Sequence, residues 1–167
     1  MMSQPFRIKK RDSFRILGYT IDTTNQHKEA TKAIPAFWES FNQKHLAEEI
    51  MPLNNQEPLG LFGVSIYNEY SEDPRKFRYF IAVSSDHPKT SELSEYIIPA
   101  CTWAVFPCTI ETIGKTEAQA IMKWLPRSSY QPKNKGYITG RMKSEAVDIQ
   151  YYGKDGLVEV WVAVKDK

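Results

Sequence analysis

Leu157-Val-Glu-Val-Trp-Val-Ala-Val164 is the stretch whose reading decides the fold. Its alternation puts Val158, Val160, Val162 and Val164 on one face of a strand and Glu159, Trp161 and Ala163 on the other. A near copy stands earlier in the chain, where Arg78-Tyr-Phe-Ile-Ala-Val83 matches Glu159-Val-Trp-Val-Ala-Val164. There Phe77, Tyr79, Ile81 and Val83 take the valine row, and Arg78, Phe80 and Ala82 take the second face. One pattern met twice points to an internal repeat.

Further matches fall in the same order around these strands. Tyr19-Thr-Ile-Asp-Thr23 matches Cys108-Thr-Ile-Glu-Thr112, and Val64-Ser-Ile-Tyr67 resembles Val147-Asp-Ile-Gln150. The first copy reads as a strand over 14–21, a helix, and strands over 61–67 and 77–83. In its helix Ile34, Phe37, Trp38, Phe41 and His45 recur at helical spacing, and Pro35 suits a first turn. Residues 68–76 read as a turn. The second copy reads as a strand over 101–110, a helix, and strands over 146–152 and 157–164. Thr116-Glu-Ala-Gln119 has capping-box spacing. Ala118, Ile121, Met122 and Leu125 form the apolar stripe, and Pro126 ends the helix. Gly153-Lys-Asp-Gly156 is a hairpin signal. The prediction is an α+β protein of two pseudo-symmetric strand–helix–strand–strand repeats around a central ligand groove. The repeats cover about 6–86 and 94–167 of a single domain spanning 1–167.

Composition narrows the function classes. Hydrophobic residues at 41% and charged residues at 25% describe a globular chain rather than a disordered one. A net charge of +2 is too small for a protein held mainly by phosphate contacts. The basic clusters Lys9-Lys10-Arg11 and Arg141-Met-Lys143, with Lys133 and Lys135, read as solvated faces. Two cysteines exclude a disulfide-dense scaffold. Cys101 and Cys108, seven apart on one strand, point to opposite faces, so no shared disulfide or metal site is expected. His27, His45 and His87 are scattered, without metal-ligand spacing. No signal peptide is readable, and the apolar stretch 97–108 is too short to span a bilayer, so a soluble cytoplasmic protein is expected. Aromatic residues, at 13%, are the skewed number.

Strand parity assigns part of that excess. Trp38 and Trp124 lie on helices and read as core. The face of Trp103 depends on a register the sequence does not fix. Phe80 and Trp161 share the second face with Glu159, and the same logic applied to the neighbouring strands adds Tyr67 and Gln150. A two-fold axis would bring the second faces together into a groove of aromatics around one acid. Such a groove suits a flat organic cation, since an aromatic face attracts a cation by about 0.5–2 kcal/mol. The competing reading pairs Glu159 with Arg78 in an exposed salt bridge worth little.

The segments Lys123-Trp-Leu-Pro-Arg-Ser-Ser-Tyr130, Thr102-Trp-Ala-Val-Phe-Pro-Cys-Thr-Ile-Glu111, Asp148-Ile-Gln-Tyr-Tyr152 and Leu157-Val-Glu-Val-Trp-Val-Ala-Val-Lys165 together resemble the GyrI-like small-molecule-binding family. This module is also the effector-binding domain of AraC-type and MerR-type multidrug-responsive regulators. The resemblance spans roughly residues 6–165. It implies two strand–helix–strand–strand modules around a groove, recognition of amphipathic and often cationic compounds, and a functional glutamate at Glu159. The chain carries no recognisable DNA-binding domain and so resembles the standalone members. Some of these are thought to sequester toxic compounds, and others to hydrolyse strained cyclopropane-containing toxins with the groove acid and aromatic partners. Ala163 stands where the family often has Pro, and Gln150 where it often has Glu.

The expectation is a binding protein for hydrophobic, cationic small molecules. Its ligand would meet Glu159, Trp161, Phe80, Tyr67, Gln150 and Trp103. No cofactor, metal, nucleic acid or membrane partner is expected, and a homodimer is left open. The runner-up is a hydrolase using Glu159 with Tyr67, Tyr137 or Tyr151; no Gly-x-Ser-x-Gly elbow is present. A third reading is a protein-interaction module.

Overall fold

The alternating valines become a strand because both faces of that strand find cover. In the computed structural model, which describes residues 5–67, 69, 70 and 72–167, the strands are β1 (Arg7–Arg11), β2 (Phe14–Thr24), β3 (Leu61–Ile66), β4 (Lys76–Ser84), β5 (Ser94–Ile98), β6 (Cys101–Cys108), β7 (Tyr130–Pro132), β8 (Asp148–Tyr152) and β9 (Val158–Asp166). The helices are α1 (Ala30–Gln43), α2 (Leu46–Ile50) and α3 (Ile113–Gln119). The first four residues lie outside the described residues, as do positions 68 and 71 of the expected turn over 68–76.

One antiparallel sheet runs β1-β6-β9-β8-β3-β4-β2-β5, with β7 added along β9. Read outward from the central β3–β8 pair, one half is β3, β4, β2, β5 and the other is β8, β9, β6, β1. The two strand–helix–strand–strand repeats thus join edge to edge across a pseudo-two-fold axis at that pair. Neither half leaves its central edge open, which removes a site of uncontrolled strand pairing.

The valine row packs under helix. Val160, Val162 and Val164 meet Ala104, Phe106, Ala120 and Leu125 beneath α3. Phe77, Tyr79, Ile81 and Val83 meet Phe41 of α1 in the equivalent core of the other half. On the second face Phe62, Val64, Phe80, Trp103 and Trp161 from both halves form one core. Phe62, Val64 and Phe80 are fully buried there. Each such side chain contributes about 1.5–3 kcal/mol by leaving water.

Local details differ from the sequence reading in three places. The capping box forms at Thr109 with Thr112, not at Thr116, so the helical turn begins earlier and Thr116 is buried within α3. Pro35 lies inside α1 rather than in its first turn. The edge strands β1 and β5 were not readable, because a short edge strand lacks the alternating apolar row of a covered one. After α3 the chain widens into a π-turn over Ala120–Trp124, with Leu125 N–H donating to Ala120 O at 3.0 Å. Such turns occur often beside functional sites.

Candidate functional site

A cavity of about 360 Å³ opens on the helix-bearing face, over the centre of the sheet. Its floor is Gly63 and Ser65 of β3, Asp148 and Gln150 of β8, and Val160 and Val162 of β9. Glu117, Ala118, Ile121 and Met122 of the α3 segment form one wall. Tyr67, just past β3, and Tyr137 and Ile138, from the long connection before β8, form the other. Met122 and Ile138, exposed at 68% and 84%, stand at its rim.

Two carboxyls face this space. Asp148 accepts from the Tyr67 hydroxyl at 2.7 Å on one oxygen and from the Tyr137 hydroxyl at 2.9 Å on the other. It thereby ties together two aromatic walls that come from different parts of the chain. Glu117 Oε1 accepts from Gln150 Nε2 at 2.8 Å. Among the described residues no Lys or Arg forms a salt bridge with either carboxyl. Burial pushes the Glu117 carboxyl up to about 7; the Gln150 amide pulls it down, and the nearby Asp148 charge pushes it up again. Burial also raises Asp148, against the hydrogen bonds from Tyr67, Tyr137 and Asn134. Tyr67 and Tyr137 are raised by burial and by the Asp148 charge, so both stay neutral donors.

The expected site residues separate into two groups. Tyr67, Gln150 and Tyr137 line the cavity. Glu159 does not; it lies on the second face with its side chain 3% exposed, bound to Arg7 Nη1 at 2.8 Å. Its other oxygen accepts from Trp161 Nε1 at 3.1 Å. The expected Arg78 partner instead pairs with Glu69 at 2.9 Å and with Asp22. Phe80 and Trp103 are sealed in the second-face core. The Trp103 ring lies 5.9 Å from that of Trp161, which settles its face. Trp161 contributes to the cavity wall, but its ring packs away from it against Phe62 and Tyr151. Tyr151 donates to the Leu59 carbonyl on that same far side.

The placement of Tyr67 and Gln150 with Glu159 is therefore corrected. Gln150 stands directly opposite Val160 and Gly63, so it shares the valine face. Alternation within a strand fixes its two faces but not how they match the next strand, and a one-residue slip exchanges them. Glu117 and Asp148 were missed. A signal existed: Glu117 is four residues before Ile121 on the apolar stripe, and Asp148 alternates with Gln150 on an otherwise apolar central strand.

A concave, mostly apolar cavity with a few converging polar groups defines a small-molecule-binding domain. The chain belongs to the GyrI-like small molecule binding domain family, whose model matches residues 4–165. Three solved structures share the fold. SAV2435, described as bound to tetraphenylphosphonium, is 16% identical with a TM-score of 0.75 over 96% of this chain and 93% of that chain. A protein from Staphylococcus aureus MU50 is 16% identical with a TM-score of 0.73, over 98% and 99%. The C-terminal domain of EcmrR is 13% identical with a TM-score of 0.54, over 97% and 98%. Among curated protein sequences nothing matches. Among the described residues no group of three or more His, Cys, Asp or Glu could hold a metal ion, and no helix is long and apolar enough to cross a membrane.

Proposed function

We propose that this protein binds a lipophilic organic cation in the cavity between α3 and the central strands, with Glu117 as its charge partner. One observation carries the reading. Glu117 is a desolvated carboxyl without a cationic partner among the described residues, and only one of its oxygens has a hydrogen bond. A positive ligand would relieve that desolvation, whereas an anion would meet two acids. Tyr67 and Tyr137 supply ring faces, and Ile121, Met122, Val160 and Val162 supply apolar contact. The ligand described with SAV2435 is of this chemical kind.

Titration with tetraphenylphosphonium tests the reading. Glu117→Gln is expected to weaken binding at least tenfold, while Glu159→Gln, on the far face, leaves it within twofold. Equal affinity in wild type and Glu117→Gln overturns the assignment. The hydrolytic alternative has one observation in its favour: a carboxyl titrating near neutrality beside a second acid is suited to general acid–base work. Mass spectrometry of a strained electrophile after incubation decides it, since more than one equivalent of hydrolysed product requires turnover.

A further inference from the structure

The Glu117 carboxyl is held from the other half of the molecule. Trp38 Nε1 on α1 donates to the Tyr79 hydroxyl on β4 at 2.9 Å. Tyr79 donates to Gln150 Oε1 on β8 at 3.0 Å. Gln150 Nε2 donates to Glu117 Oε1 at 2.8 Å. Resting on the cation-binding reading above, we propose that Trp38, Tyr79 and Gln150 are positioning residues. Together they form a one-directional relay that aims Glu117 into the cavity and leaves its Oε2 for the ligand.

The direction is set at the far end by chemistry. An indole N–H can only donate. The Tyr79 oxygen therefore accepts from Trp38, and its single proton goes onward to Gln150. Gln150 must meet that proton with its oxygen, which also accepts from the Tyr152 hydroxyl at 3.4 Å. The amide nitrogen is then turned toward Glu117, which must accept. A relay of this polarity favours the charged carboxylate and keeps any proton on the oxygen that faces the ligand. Gly63 makes the crossing possible, because a Cβ there would stand 2.1 Å from the Tyr79 hydroxyl and 3.0 Å from Gln150 Oε1. Trp38 and Tyr79 come from the first repeat, Gln150 and Glu117 from the second. The site is thus a property of both halves, and Trp38 does more than pack against Phe41 and Tyr152.

The titratable groups facing Glu117 are Asp148 and Tyr152 on β8, Tyr79 on β4, Cys108 on β6, and Tyr67 and Tyr137 in the wall. The tyrosines and Cys108 stay neutral near pH 7, so burial and the Asp148 carboxyl push the Glu117 midpoint up and the relay pulls it down. The test reads Glu117 directly, by a carbon-13 NMR titration of its carboxyl in the ligand-free protein. Wild type, Trp38→Phe, Tyr79→Phe and Gln150→Leu are compared, with tetraphenylphosphonium affinity measured at pH 7 and pH 9 and thermal melts confirming folding. The midpoint is expected to rise in all three variants, most in Gln150→Leu and least in Trp38→Phe. A rise of one pH unit leaves about one-eleventh rather than about half of the protein charged at pH 7 and weakens binding about fivefold. At pH 9 the affinity of Trp38→Phe and Tyr79→Phe, neither of which lines the cavity, returns to within about twofold of wild type, a recovery that simple structural damage does not give. A midpoint that moves only in Gln150→Leu, or in none of them, overturns the relay. If Trp38→Phe does not fold, Tyr79→Phe, which keeps its ring, decides alone. If the midpoints move as expected but wild type ignores tetraphenylphosphonium, the relay stands and the ligand reading falls.

Discussion

Cutting Arg7 back to alanine leaves the Glu159 carboxylate without its cation, and the structure sets the size of the consequence. The acid is almost wholly enclosed, with 3% of its side chain exposed, while Arg7 is 57% exposed. Removing one partner of a fully buried pair costs about 3–5 kcal/mol, because a charge is left in a poor solvent. A fully exposed pair is worth about 0–1 kcal/mol. This pair is buried on one side only. Water can enter where the guanidinium leaves, and Trp161 Nε1 still donates to the other oxygen. Arg11 also remains nearby, its guanidinium carbon 5.1 Å from the Trp161 ring centroid. The expected loss is therefore intermediate, about 2 kcal/mol, or a fall in Tm of about 4–8 °C for a chain of this size. Glu159→Gln in the same background removes the stranded charge but keeps an acceptor for Trp161, so the double variant recovers more than half of the loss. Thermal unfolding followed by circular dichroism, run as a double-mutant cycle, reads both numbers. A Tm within 1 °C of wild type for Arg7→Ala refutes the reasoning, as does a double variant at least as unstable as Arg7→Ala alone. Neither change reaches the cavity, so tetraphenylphosphonium affinity stays within twofold.

Two further outcomes follow from the cavity itself. Glu117 titrates near 7 in the folded protein against an ordinary value of 4.5, so between those values the folded state binds more protons than the unfolded one. Its contribution to stability is present below about pH 4.5 and declines as pH rises through 7. Glu117→Gln is therefore expected to raise Tm at pH 8 but not at pH 4.5, at the cost of ligand binding; no pH dependence in the Tm difference rejects the buried-acid account. Gly63→Ala places a methyl 2.1 Å from the Tyr79 hydroxyl, in a fully buried setting. It is expected to destabilise the fold by about 1–3 kcal/mol and to weaken cation binding together with it, measured by urea unfolding and ligand titration. A Gly63→Ala protein with wild-type stability shows that the relay does not run through that gap.

Periodicity carried far because each half solves the same burial problem. The valine row of β9 and its partner Phe77, Tyr79, Ile81 and Val83 both lie beneath helix, as alternation requires for strands covered on that side. Ile34, Phe37, Trp38 and Phe41 of the helical stripe likewise sit on α1, whereas His45 lies beyond its end, in a left-handed conformation that starts α2. Trp161, Trp103 and Phe80 share one face, but that face became a sealed core rather than a groove, since both half-sheets contribute large apolar side chains to it.

The site was less legible for a definite reason. A glutamate beside a tryptophan on the last strand is conspicuous in the sequence, yet Arg7 on the edge strand β1 pairs with it from a position more than a hundred and fifty residues earlier. Glu117 and Asp148 are ordinary in their local context; one sits on a helix and the other on a strand, thirty-one residues apart. Local chemistry and period determined the covered strands, the two main helices, the faces within each strand and the doubled plan, but not the short edge strands. Which face of β8 meets which face of β9, and which acid keeps a cation, depend on inter-strand register and long-range pairing. Those are decided only when the two halves close on the β3–β8 seam, where Gln150 falls opposite Val160 and turns toward Glu117.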